Sequence, residues 1–357
     1  MADQVKYDVV LGWEQLPKGF AHRDVAGVAV DQEDRVYLIC RGENPIIVYD
    51  RHGKFLNTWG KGDFSPRTHG IYIAPNGTVF ATDDGNHTVR QFTPEGRLLM
   101  TMGTLNVPSD TGYDGQNVGS IKRAGQPFNR PTNVAIGPKG DIYVSDGYGN
   151  ARVHIFSASG QYKRSWGEPG TGPGQFELPH GIAVAADGRV FVCDREADRL
   201  QIFSPDGEFL EQWTDTQRPT HLTFDGKGNV YVTELAWHVG DTSYSFGPVT
   251  KMRHARFSIF DPKGKLLSRW GTPDAAAPGS FAAPHGLALD SKNDLYVSEV
   301  TYTFAVSRGR VPEDCHTFQK FKLVVCSPVA GGAARRTTWC PNQKSSRRGS
   351  SRRSRRS

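Results

Sequence analysis

Apolar and polar positions alternate with period two in short bursts along this chain, and the bursts recur. One pattern appears six times: a pair of small or polar residues, then an alternating apolar run. The copies begin Ala26-Gly27-Val28, His69-Gly70-Ile71, Thr132-Asn133-Val134, His180-Gly181-Ile182, Thr220-His221-Leu222 and His285-Gly286-Leu287. Their first apolar residues stand 43, 63, 48, 40 and 65 residues apart. Each run is followed by a turn, as at Pro75-Asn76-Gly77 or Asp187-Gly188, and then by a β-rich segment such as Ile142-Tyr143-Val144. A third segment ends on an aromatic residue (Phe156, Phe203, Phe260), and a fourth often closes on Trp-Gly, as at Trp166-Gly167. Period-two alternation between Gly-centred turns predicts strands rather than helices. Four strands in about 40–45 residues, repeated, predict propeller blades. The fold class expected is all-β, a six-bladed β-propeller with four-stranded blades.

The sixth copy holds only three strands, at Gly286–Leu289, Leu295–Glu299 and roughly His316–Leu323. The segment Lys6–Trp13 is similar to the fourth strand of the other copies and is predicted to complete that blade. Such closure removes two exposed sheet edges. The propeller is therefore expected over residues 1–325. The two long spacings predict loop insertions near Thr104–Arg130 and Leu235–Ala255, the second carrying Trp237, His238, Tyr244 and Phe246. Long loops in compact domains are commonly functional.

Composition changes the picture in one respect. The formal net charge is +6, but residues 326–357 contain nine Arg or Lys and no acid. Without them 34 basic residues face 37 acidic ones, so the basic character belongs to the tail. That Arg/Ser-rich segment is too poor in apolar residues to order itself and is expected to be disordered. No secretory signal and no membrane-length apolar run is read in the chain. The five cysteines (Cys40, Cys193, Cys315, Cys326, Cys340) show no CxxC spacing and are read as reduced thiols of a cytoplasmic protein. A monomer is expected, without a membrane or specific nucleic-acid partner.

The candidate chemistry lies at the position just before each apolar run. Around the ring it reads Ala26, His69, Thr132, His180, Thr220, His285, with histidine in blades 2, 4 and 6 only. Alternate blades of a six-fold ring lie about 120° apart, so three imidazoles would converge on the channel axis. Three histidine nitrogens with an open fourth position suit catalytic zinc. A lone strand histidine is usually a satisfied core residue; the shared phase is what singles these three out. Among the other histidines, His238 is a candidate substrate contact. A second repeated position follows the second strand and carries Asp83-Asp84, Asp146, Asp194, Glu234 and Glu299. These acids are read first as caps of turns or links between blades. Arg41 and Arg195 stand there instead as guanidinium groups suited to carboxylates. Tyr148, in Asp146-Gly147-Tyr148-Gly149-Asn150, is a large aromatic in an exposed turn and a candidate base.

With these residues in place, the chain resembles NHL-repeat propellers, and among them the peptidyl-α-hydroxyglycine α-amidating lyase domain. The resemblance spans about residues 7–323. Its most similar stretches are Val144–Arg152, Pro173-Gly174-Gln175-Phe176 through Pro179-His180, and Asp194-Arg195-Glu196. It implies that His69, His180 and His285 are zinc ligands, that Tyr148 is the catalytic tyrosine, and that Arg41 and Arg195 are active-site arginines. It also implies a calcium held by the backbone carbonyls of Val28 and Ile71. Two positions depart from the family: Gly286 stands where it has an aspartate ligand for calcium, and Gly149 where it has a cysteine. The implied reaction cleaves the C–N bond of an α-hydroxyglycine-type small molecule or peptide to an amide and glyoxylate. Two other readings stand beside it: a metal-dependent hydrolase of the lactonase type, and a non-catalytic binding scaffold, since fold alone does not fix function.

Overall fold

The computed structural model describes residues 5–243 and 246–324. The expected tail, with Cys326 and Cys340, and Tyr244 of the second insertion lie outside the described residues. Six four-stranded antiparallel sheets form the blades of a propeller. The strand that begins each blade lines the channel: Val25–Val30, Thr68–Ile73, Pro131–Ile136, Pro179–Val184, Pro219–Phe224 and Pro284–Leu289. In blades 1 to 5 the chain then runs outward through three further strands, ending at Phe55–Trp59, Leu98–Met102, Tyr162–Trp166, Phe209–Trp213 and Leu266–Trp270. No helix among the described residues is long and apolar enough to cross a membrane.

The sixth blade is closed by the N-terminus, where Lys6–Val9 pairs antiparallel with Phe318–Val324. This strand is shorter than the expected Lys6–Trp13. Gly12, at φ +65°, turns the chain, so Trp13 leaves the sheet edge and packs on Tyr49, Tyr296 and Phe318. Asp34 adds a polar latch between the first and last blades, accepting from Ser291 N (2.9 Å), Ser291 Oγ (2.8 Å) and Arg51 Nη2 (2.8 Å).

The core lies in layers between neighbouring blades, filled by the alternate side chains that the period-two pattern supplies. Cys40 and Cys193 are small members of those layers; both thiols, like that of Cys315, are free.

The acids at the ends of the second strands serve as caps. Asp83, Asp146, Asp194, Glu234 and Glu299 are fully buried. Each accepts backbone N–H groups from the loop entering its own blade, as from Ser65 (2.7 Å), Asn129 (2.9 Å), Leu178 (2.9 Å), Gln217 (2.5 Å) and Ala283 (2.9 Å). Cationic partners from the third strands include Arg199 on Asp194 (2.9 Å) and Arg256 on Glu234 (2.8 Å). Loops that would otherwise be loose are thereby fixed at the mouth where the histidines stand.

Candidate metal centre

His69, His180 and His285 sit at the start of the channel-lining strands of blades 2, 4 and 6, and their ring centroids lie 4.6–4.7 Å apart. All three are buried. The odd-numbered blades orient them. The carbonyl of Thr132 accepts from His69 Nδ1 (2.6 Å), that of Thr220 from His180 Nδ1 (2.7 Å), and that of Ala26 from His285 Nδ1 (2.6 Å). These acceptors occupy the repeat position that is histidine in the even blades. A carbonyl can only accept, so each Nδ1 carries its proton and each Nε2 presents a bare lone pair.

Burial, first of all, holds the three imidazoles well below their ordinary range. For His69 the neighbouring His285 and Arg41 add to it, for His180 Arg195 and His285, and for His285 Arg41. Neutral imidazoles are the state that binds metal.

Tyr148 lies over this triad. Its hydroxyl is 3.1 Å from both His69 Nε2 and His180 Nε2, and it accepts from Arg195 Nη1 at 3.0 Å. One phenol proton cannot satisfy two imidazole lone pairs. His285 Nε2 is buried with no hydrogen-bond partner. An unpartnered nitrogen of this kind is costly unless something binds it. The donor atoms of the triad all lie within 4.8 Å of one another, and among the described residues this is the one such group of His, Cys, Asp or Glu. The residues therefore fit a metal ion. A carbonyl on Nδ1 is a usual means of fixing the tautomer of a metal-binding histidine.

The two predicted arginines stand at the same mouth. Arg195 is buried and ion-paired through Nε to Glu196 (2.8 Å), whose carboxylate also takes Arg218 Nη2 (2.8 Å). Arg41 donates from Nε to the Thr68 carbonyl (3.2 Å), one residue before His69, and its Nη1 lies 3.6 Å from Asp24. Three participants were not singled out from sequence. Arg67 forms a forked pair with the buried Asp84 (2.5 and 3.1 Å) and lies 5.6 Å from the Tyr148 ring. Glu196 and Arg218 extend the contact chain behind Arg195. The doublet Asp83-Asp84 was the one signal for Arg67, because a second buried acid needs its own cation.

His238 is held in the loop of blade 5, where its backbone N–H donates to Asp241 (2.9 Å), and it touches none of the three histidines among the contacts described. Val28 and Ile71 lie in channel-lining strands with their side chains buried between blades. Gly286 offers no carboxylate beside them. A Cβ there would stand 2.7 Å from Ser298 Oγ and 2.9 Å from the Gly27 Cα, so the space is already filled. Gly286 thus leaves Val28 and Ile71 without the neighbouring carboxylate that the resemblance implies for calcium.

A family model described as the NHL repeat matches residues 128–156 and 176–203, within blades 3 and 4. Human NHL repeat-containing protein 3 is 32% identical over 313 residues, which cover 84% of this chain and 82% of that protein. Peptidyl-alpha-hydroxyglycine alpha-amidating lyase 1 of Drosophila melanogaster is 27% identical over 272 residues, covering 70% of this chain and 45% of the lyase. The rat peptidylglycine alpha-amidating monooxygenase is 30% identical over 249 residues, 56% of this chain and 24% of that much longer protein. Among solved structures, a streptogramin B lyase superposes with a TM-score of 0.57 at 13% identity, covering 90% of this chain and 98% of that one. A gluconolactonase from Xanthomonas campestris does so with a TM-score of 0.54 at 13% identity, covering 85% and 87%. Likenesses at that identity concern the fold alone.

Proposed function

The chain belongs to the NHL-repeat β-propeller family, and from that premise we propose that it is a zinc-dependent carbon–nitrogen lyase acting on an α-hydroxyglycine-type substrate. The observation that carries the reading is the cluster of three neutral imidazoles, two with Nε2 on one phenol held by a buried guanidinium and the third with Nε2 unpartnered. A scaffold has no need of such an arrangement. The relatives named as amidating lyases support the reaction class.

His69, His180 and His285 would hold the metal. Zinc suits an all-imidazole set with an open position, and when bound it supplies Lewis acidity at the substrate hydroxyl. The protein's own groups carry the remaining steps. Arg41 and Arg195 receive the substrate carboxylate and offset charge as it develops. Tyr148 Oη accepts the hydroxyl proton while the C–N bond breaks, and returns it to the departing amide nitrogen. Atoms balance: R–CO–NH–CH(OH)–COO⁻ gives R–CO–NH₂ and glyoxylate. Arg195 Nη1 donates to Tyr148 Oη, which is the anionic phenolate oxygen before it takes the proton and again after it returns it. The lactonase-type reading has less to rest on, because the five strand-end acids are already taken up in capping loops.

Elemental analysis of the purified full chain and of His180→Ala tests this. About one zinc per chain, lost in the variant, is expected for a three-ligand site with an open fourth position. Wild-type protein that holds no metal after zinc is offered would overturn the reading.

A further inference from the structure

Behind Arg195, cations accumulate beyond what the local acids can neutralise. Arg218 lies 4.2 Å over the Trp237 ring, donates to Glu196 (2.8 Å) and to the Ala236 carbonyl (3.2 Å), and stands 3.9 Å from Asp241. Its Nε is nevertheless buried without a hydrogen-bond partner, as is Nδ1 of the adjacent His238. From the loop of blade 6 come Arg308 and Arg310, both exposed. Arg310 Nη1 donates to the Phe304 carbonyl (3.2 Å), and Arg308 lies 5.2 Å from the Phe304 ring. Neither has a carboxylate partner among the described residues.

Glu196 is shared with Arg195, and Asp198 is engaged by the Arg218 backbone N–H (2.7 Å) and Trp237 Nε1 (3.0 Å), which leaves Asp241 to both Arg218 and Arg310. The guanidinium groups repel one another and the adjacent imidazole. Burial first, then Arg308 and, further down, Arg218, hold Arg310 below the usual guanidinium range against the pull of Asp241. Burial first, then Arg310, with Arg218 and Arg308 adding, hold His238 below the ordinary imidazole range. Such a crest of unneutralised, forked donors with the orphaned Nε–H of Arg218 favours an anion.

We propose that Arg218, Arg308 and Arg310, with His238, bind a carboxylate on the acyl part of the substrate, so that the preferred substrate carries two carboxylates. The identity of the other end, the α-hydroxyglycine, rests on the lyase reading; the crest's preference for an anion does not. Glu196 is the carboxylate shared by Arg195 and Arg218, so the crest adjoins the arginine that holds the phenol.

N-Succinylglycine and N-butyrylglycine have acyl chains of equal length and differ in the terminal carboxylate. Neither has a hydroxyl to eliminate, so both report binding alone. Isothermal titration into the zinc-loaded full chain should show N-succinylglycine binding about tenfold more tightly, the worth of one charge-assisted hydrogen bond. The preference should shrink as salt rises, and Arg308→Ala/Arg310→Ala should lose most of it. Equal affinities in the wild type, or a preference undiminished in the double variant, would overturn the proposal. So would failure of both ligands to bind while glyoxylate is still released from neutral α-hydroxyglycines, which leaves the lyase reading standing. A salt-sensitive preference with no glyoxylate from any α-hydroxyglycine would instead remove the lyase reading and keep the anion site.

Discussion

Gly181 follows His180 in the channel-lining strand of blade 4, and replacing it with alanine tests how the triad is held. Its backbone lies outside the positive-φ region, so alanine suffers no conformational penalty. The cost is one of contact. A Cβ would stand 2.6 Å from the Thr220 carbonyl oxygen, 2.8 Å from His221 Cα and 3.1 Å from Cys193 Sγ. Two of these atoms belong to the backbone of the next blade and cannot swing aside. The strand of blade 5 must move by several tenths of an ångström, and with it the carbonyl that orients His180 Nδ1. Overpacking of this kind costs about 1–3 kcal/mol. Loss of an orienting partner lowers metal affinity about 10- to 100-fold. Urea denaturation of the metal-free protein reads the first term, and a competitive zinc titration reads the second. Gly226→Ala is the control, because a Cβ there meets nothing within 4 Å; it should change stability by no more than about 1 kcal/mol. If Gly181→Ala matches wild type in both assays, blade 5 does not position His180 and the reasoning fails.

Other substitutions separate the roles assigned to neighbouring groups. Tyr148→Phe should retain its metal but release glyoxylate about a hundred- to ten-thousand-fold more slowly; a rate near wild type would remove the phenol as base. Glu196→Gln weakens the carboxylate shared by Arg195 and Arg218 and should lower kcat about tenfold with metal content unchanged, while Glu196→Asp recovers part of the loss. Burial holds His221 at about 4 against 6.5 in the unfolded chain, so below pH 6.5 the unfolded state binds the extra proton. Stability present above pH 6.5 is then lost as pH falls towards 4, by up to about 3 kcal/mol. Denaturation midpoints at pH 7.5 and 5 should fall further for wild type than for His221→Gln, and equal falls would contradict this assignment.

The parts of the molecule that were legible in the sequence are those that repeat. Alternation and turn spacing gave the blades, and the phase of His69, His180 and His285 within the repeat placed three imidazoles on one ring of positions. The N-terminal strand was visible because the sixth copy lacked a partner for its edge. What stayed hidden depends on backbone atoms and on irregular loops. The carbonyls of Ala26, Thr132 and Thr220 orient the histidines, yet a backbone acceptor leaves no residue signature. The glycines after the histidines look like turn or flexibility signals, whereas Gly181 is a close-approach position. Glu196 and Arg218 meet only because the 3₁₀ turn Arg195–Ala197 and the entry to blade 5 converge, and no period connects them. His238 was singled out from its place in a long insertion; its surroundings of arginine come from two separate loops.

The central claim is most directly tested by the products. Zinc-loaded full chain incubated with an N-acyl-α-hydroxyglycine should release glyoxylate and the matching amide in equal amounts, and a chelator should stop the release until zinc is restored. Protein carrying its full complement of zinc that releases neither product from neutral or acidic acyl substrates would contradict the account.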